Sequence, residues 1–96
     1  MFRLDRNDVL IIVDVQKCFC LGGAVPVSEG DKIVPILNKY IEKFQKAGAK
    51  IYATRDWHPL NHESFKDYGG LWPPHCIQGS IGAEFHSDLS FLKKLL

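Results

Sequence analysis

The stretch DVLIIVDVQ, residues 8–16, limits the fold more than any other part of the chain. Val9–Val13 is an unbroken apolar run, mostly β-branched, and the stretch turns polar at Asp14. A run with no polar alternation suits a strand covered on both faces, the pattern of parallel sheets. It is far too short to cross a bilayer. CLGGAVPVSEG follows and reads as a loop, broken by Gly22, Gly23, Pro26 and Gly30. Ile33, Ile36, Leu37, Tyr40, Ile41 and Phe44 then recur at helical spacing and predict one apolar stripe. Pro35 is tolerated if it sits near the first turn. Asp31 or the Ser28–Gly30 turn offers a cap at the start, and Gly48 one at the end. AKIYAT, residues 49–54, is a second strand that runs out at Arg55 and Asp56. Strand, helix, strand is a βαβ unit, which implies a parallel sheet and the α/β class.

That order places Asp14 and Asp56 just past the carboxyl ends of two parallel strands, the edge where open α/β sheets bind ligands. From Asp56 to about Leu89 there is little periodicity, and loops that long are uncommon unless they carry function. Two strands and one helix leave sheet edges and a helix face uncovered. Residues 1–96 are therefore expected to be one part of a single domain, incomplete at its C-terminal side.

A formal net charge of +1 supplies no field that would draw the chain to nucleic acid or to an anionic membrane, so neither is an expected partner. No charged-then-apolar leader follows Met1, which predicts a cytoplasmic protein. The three cysteines, Cys18, Cys20 and Cys76, are odd in number and irregular in spacing, unlike a secreted disulfide framework.

Chemistry concentrates in TRDWHPLNH, residues 54–62. Asp56 and His58 are two apart, so extended backbone points both to one side with Trp57 opposite. His62 follows closely, and His75 has to arrive from the long loop. One carboxylate and two imidazoles suit zinc, iron or manganese and leave coordination positions open. The plain alternative is a solvated turn capped by Asp56. Asp14 reads equally as a general base, a phosphoacceptor or a structural cap; Gln16 stands where a phosphatase would carry a second Asp. Cys76 adjoins His75, but neighbours in extended chain point apart, so a buried structural thiol is expected there. His86 is expected near the site or on the surface. Trp72, stiffened by Pro73 and Pro74, reads as a packing anchor. Gly22-Gly23 does not make a dinucleotide loop.

Four ordered blocks carry a more specific signal: IIVDVQ, GGAVPV with GD, ATRDWHP with NH and SF, and WPPHC with GAEFH. Together they resemble nicotinamidases, also called pyrazinamidases, of the isochorismatase-like cysteine hydrolases, over about Val9 to Leu89. The resemblance implies a three-layer α/β/α, Rossmann-like parallel sheet. It implies hydrolysis of nicotinamide or pyrazinamide to the acid and ammonia by a cysteine thiolate, with an aspartate accepting the proton and a lysine completing the triad. Asp14 matches the catalytic aspartate. Asp56, His58 and His75 match ligands of one divalent metal ion, zinc first and iron or manganese next, with His62 a further candidate. Phe19 and Trp72 match aromatic positions that flank the substrate ring. The chain also departs from the family. Lys17-Cys18-Phe19 replaces the usual Asn-Asp-Phe, Lys93 and Lys94 come too early for the triad lysine, and no cysteine stands at the nucleophile position. The expected function is a nicotinamidase-type amide hydrolase in NAD salvage, with this chain inactive alone. The alternatives are an inactive metal- or ligand-binding remnant, or a structural half completed by a second chain.

Overall fold

The computed structural model describes residues 3–91; Lys93 and Lys94 lie outside the described residues. Strand β1 spans Val9–Val13, helix α1 Ile33–Lys46 and strand β2 Lys50–Thr54. The two strands pair in parallel, from Val9 opposite Lys50 to Val13 opposite Thr54. The predicted βαβ unit is thus present, with its strand ends level at Asp14 and Arg55.

Helix α1 ends as predicted. Gly48 takes φ 72°, its N–H reaches the Gln45 carbonyl at 3.1 Å, and the Ala49 N–H reaches the Phe44 carbonyl at 3.0 Å. That left-handed closure satisfies two carbonyls the helix would otherwise leave open. Pro35 falls in the first turn, where its missing N–H costs nothing. The start departs from expectation. A 3₁₀ turn at Gly30–Lys32 leads into the helix with no side-chain cap. Asp31 is engaged elsewhere: its carboxylate accepts the Leu21 N–H at 2.7 Å.

Two packing expectations are also corrected. The buried stripe of α1 runs through Val34, Ile41 and Phe44, with Leu37 beside it, while Ile33, Ile36 and Tyr40 lie exposed. Helical spacing identified an apolar arc wider than the face the small sheet can cover. Among the described residues β1 is covered on one face only. Ile12 is buried under α1 with Leu10, Ile51 and Ala53, whereas Val9, Ile11, Val13 and Tyr52 face outward, Val13 at 66% exposure. Strand side chains alternate between faces, and among the described residues one helix covers one of them. Among the described residues the α/β portion has two parallel strands and one helical layer, the part of the expected fold that this stretch carries.

The C-terminal segment is fastened back onto α1. Leu89 fills the core beside Ile12, Val15, Val34 and Ile41. Asn38 donates to the Asp88 carbonyl at 2.9 Å and accepts the Ser90 N–H at 2.8 Å. Cys76 is buried as expected, yet it is bonded to Cys18, with Cα atoms 5.7 Å apart. Its φ of 47° takes it out of the extended alternation on which the free-thiol expectation rested. Cys20 is the free cysteine, and it is buried.

Candidate metal centre

At the end of β1 the chain turns sharply. Asp14 takes φ 54°, the left-handed region that aspartate tolerates better than most residues. Its N–H bonds to the Thr54 carbonyl at 3.1 Å, and the Thr54 hydroxyl donates to Asp14 Oδ1 at 2.9 Å. The neighbouring strand thereby aims the carboxylate. The same turn sends Val15 and Gln16 inward, and Gln16 is fully buried.

Gln16 holds the next carboxylate in place. Its Oε1 accepts the Asp56 N–H at 2.8 Å, and its Nε2 donates to the Asp56 and Ala83 carbonyls, both at 2.9 Å. One amide thus satisfies both backbone groups of Asp56, which emerges just after β2. His58 is held the same way by backbone. Its N–H bonds to the Cys76 carbonyl at 2.9 Å, and its carbonyl accepts the Gln78 N–H at 2.8 Å. This short parallel pairing brings residues 75–78 from the long loop to the strand edge. The Cys18–Cys76 bond ties the same segment to the turn at Lys17–Phe19.

The result is a cluster. One donor atom each from Asp56, His58 and His75 lies within 4.8 Å of the others. His58 Nε2 and Asp56 Oδ2 stand 3.5 Å apart, about the ~3.5 Å edge of a tetrahedron with zinc-length bonds. His75 Nδ1 lies 2.8 Å from the Pro73 carbonyl. A carbonyl only accepts, so Nδ1 carries the proton and Nε2 keeps a free lone pair, the usual arrangement of a metal-binding histidine. Burial pushes the His58 pKa below its ordinary value, assisted by His62 and His75 and opposed by Asp56. The neutral imidazole, the form that ligates metal, is favoured. The donors fit a divalent metal of the zinc, iron or manganese class.

His62 is placed differently. It stacks on His58 with ring centroids 4.1 Å apart. The Ser64 N–H donates to its Nδ1 at 3.2 Å, so in the neutral ring the proton sits on Nε2. His62 is not among the three residues whose donor atoms lie within 4.8 Å of one another. His62→Ala is expected to leave zinc affinity within about threefold of wild type, whereas His75→Ala removes tight binding; a zinc titration monitored by calorimetry separates the two.

Phe65 forms the floor of the cluster. It is 1% exposed and meets the rings of His58, His62 and His75 at centroid distances of 5.9, 5.6 and 5.4 Å. Its position depends on a second short pairing, in which the Lys66 N–H reaches the Trp72 carbonyl at 2.8 Å. Gly70 lets that loop close, because a Cβ there would fall 2.0 Å from the Ser64 backbone. Phe19 lies edge-on to His75 at 6.0 Å and, with Asp14, lines a cavity of about 240 Å³. Trp72 is half exposed. His86 is away from the cluster, 3.1 Å from Asp31. Gln16, Phe65 and Thr54 are supports to which the sequence assigned no role. All three stand in the quoted blocks, but nothing in their spacing says that one amide and one ring would hold the ligands.

Residues 8–94 match the family model described as Isochorismatase domain. The Escherichia coli nicotinamidase is 40% identical over 80% of this chain and 43% of its own length. The pyrazinamidase of Pyrococcus horikoshii, solved in complex with zinc, is 60% identical with a TM-score of 0.80, over 84% of this chain and 45% of that one. PnC1 from L. infantum, solved in complex with nicotinate, is 44% identical with a TM-score of 0.77, over 84% of this chain and 40% of that one. The chain spans less than half the length of each of these relatives.

Proposed function

The chain belongs to the isochorismatase-domain family, and from that premise we propose that it is the metal- and substrate-holding part of a nicotinamidase-type amide hydrolase. The observation that carries this reading is the convergence of Asp56, His58 and His75 at the strand edge that also bears Asp14. In the proposal these three hold one divalent metal ion, zinc first. When bound, the metal supplies a Lewis-acid contact for the pyridine nitrogen of nicotinamide or pyrazinamide. Phe19 and Trp72 flank the ring. Asp14, oriented by the Thr54 hydroxyl, accepts the proton of an attacking thiol. The zinc-bound and nicotinate-bound relatives support this ligand choice.

None of the chain's own cysteines suits the attacking role. Cys18 and Cys76 are joined. Burial pushes the Cys20 pKa up, and the nearby Asp31 carboxylate adds to this, so its thiolate is disfavoured. The attacking thiol and the lysine are assigned to polypeptide beyond residues 1–96.

Alone, the 96-residue chain is expected to release no ammonia from nicotinamide. Mixed with the complementary C-terminal half of the P. horikoshii pyrazinamidase, it is expected to give metal-dependent ammonia release that Asp14→Asn abolishes. Binding of zinc and nicotinate without ammonia from the mixture favours the inactive binding remnant. Turnover by the chain alone that Asp14→Asn abolishes contradicts the division of labour.

A further inference from the structure

A second set of donors meets beside the Lys17–Phe19 turn. Cys20 follows that turn, Asp31 sits in the turn before α1, and His86 comes from the segment that pairs beside Gln16. One donor atom from each lies within 4.8 Å of the others. None of the three belongs to the Asp56 cluster.

Their positions are fixed by backbone as well as by side chains. Asp31 Oδ1 accepts the Leu21 N–H at 2.7 Å, and Oδ2 lies 3.1 Å from His86 Nε2. The His86 N–H bonds to the Val15 carbonyl at 2.9 Å. The group opens onto a cavity of about 480 Å³, lined also by Lys17, Gly22 and Gly82. The Lys17 ammonium there is paired with Glu84 at 2.7 Å. A tetrahedral zinc ion sets its ligands ~3.5 Å apart. The Asp31–His86 edge, at 3.1 Å, is already close to that, and the Cys20 donor lies within 4.8 Å of both.

We propose that Cys20, Asp31 and His86 form a second metal site, for a thiophilic divalent cation of the zinc class, with a fourth position open to the cavity. One sulfur, one oxygen and one nitrogen donor favour zinc or cobalt over magnesium or calcium, which take oxygen ligands. Binding balances as follows. The Cys20 S–H bond breaks, its proton goes to solvent, and Sγ bonds the metal. In the free chain the Asp88 N–H donates to His86 Nδ1 at 3.1 Å, so Nε2 carries the ring proton. On binding, that proton passes to Nδ1 and Nε2 turns its lone pair to the metal. The Asp88 N–H is exposed and turns to water.

Cobalt(II) reads this site separately, because a thiolate ligand gives a near-ultraviolet sulfur-to-cobalt charge-transfer band and the Asp56 cluster has no sulfur donor. The oxidised chain, with one free thiol verified by titration, is expected to bind two cobalt ions and show the band. Cys20→Ser should lose the band and one cobalt. His75→Ala should keep the band and lose the other cobalt, so failure of one site is distinguishable from failure of the other. His86→Gln should move the band's appearance to higher cobalt concentration. Circular dichroism checks that each variant is folded. Absence of the band in the wild-type chain, its survival in folded Cys20→Ser, or an unchanged titration in His86→Gln would overturn the assignment.

Discussion

Gln16→Leu is expected to lower the unfolding free energy of the chain by about 3 kcal/mol or more and to weaken zinc binding with it. The substitution keeps volume but removes every polar contact of a fully buried amide. The Asp56 N–H and the Asp56 and Ala83 carbonyls would lose their partner together. Each buried polar group left without a partner costs about 1–3 kcal/mol. Because Asp56 would lose the clamp on both of its backbone groups, its carboxylate would no longer be held beside His58. Urea unfolding and a zinc titration on the same variant measure both effects. A stability loss below about 0.5 kcal/mol, the range of a surface substitution, would show that the clamp is not formed.

Phe65→Ala should be at least as damaging. Truncating a fully buried phenylalanine typically costs about 3–5 kcal/mol. Here the cavity would open beneath three imidazoles at once. Water entering it would solvate His58, restore its ordinary pKa and let protons compete with metal. Zinc affinity is expected to fall with stability, and Phe65→Leu should recover most of both. Full zinc affinity in a folded Phe65→Ala chain would contradict the role given to the ring.

Much of the fold was legible because it depends on local pattern. The apolar run before Asp14, the helical recurrence after Asp31 and the glycine at residue 48 each specify their element within a few residues. The order of those elements was enough to put Asp14 and Asp56 on one edge. The misses lie in contacts that the local pattern does not announce. Cys18 and Cys76 are 58 residues apart, and nothing local announces their bond. Asp31 looked like a helix cap because it stands at the right place in sequence, but a loop N–H ten residues earlier claims its carboxylate. His62, a further candidate by proximity, stacks on His58 and lies outside the group of donors that meet within 4.8 Å. Ile33, Ile36 and Tyr40 looked like core because periodicity finds an apolar face without showing what covers it.

The central claim is that Asp56, His58 and His75 hold a divalent metal. Its most direct test is zinc analysis of the folded chain after loading and exhaustive dialysis, in a Cys20→Ser background that silences the second set of donors. One zinc per chain is expected, lost on His75→Ala and retained on His62→Ala. No retained zinc, or zinc retained equally by a folded His75→Ala chain, would contradict it.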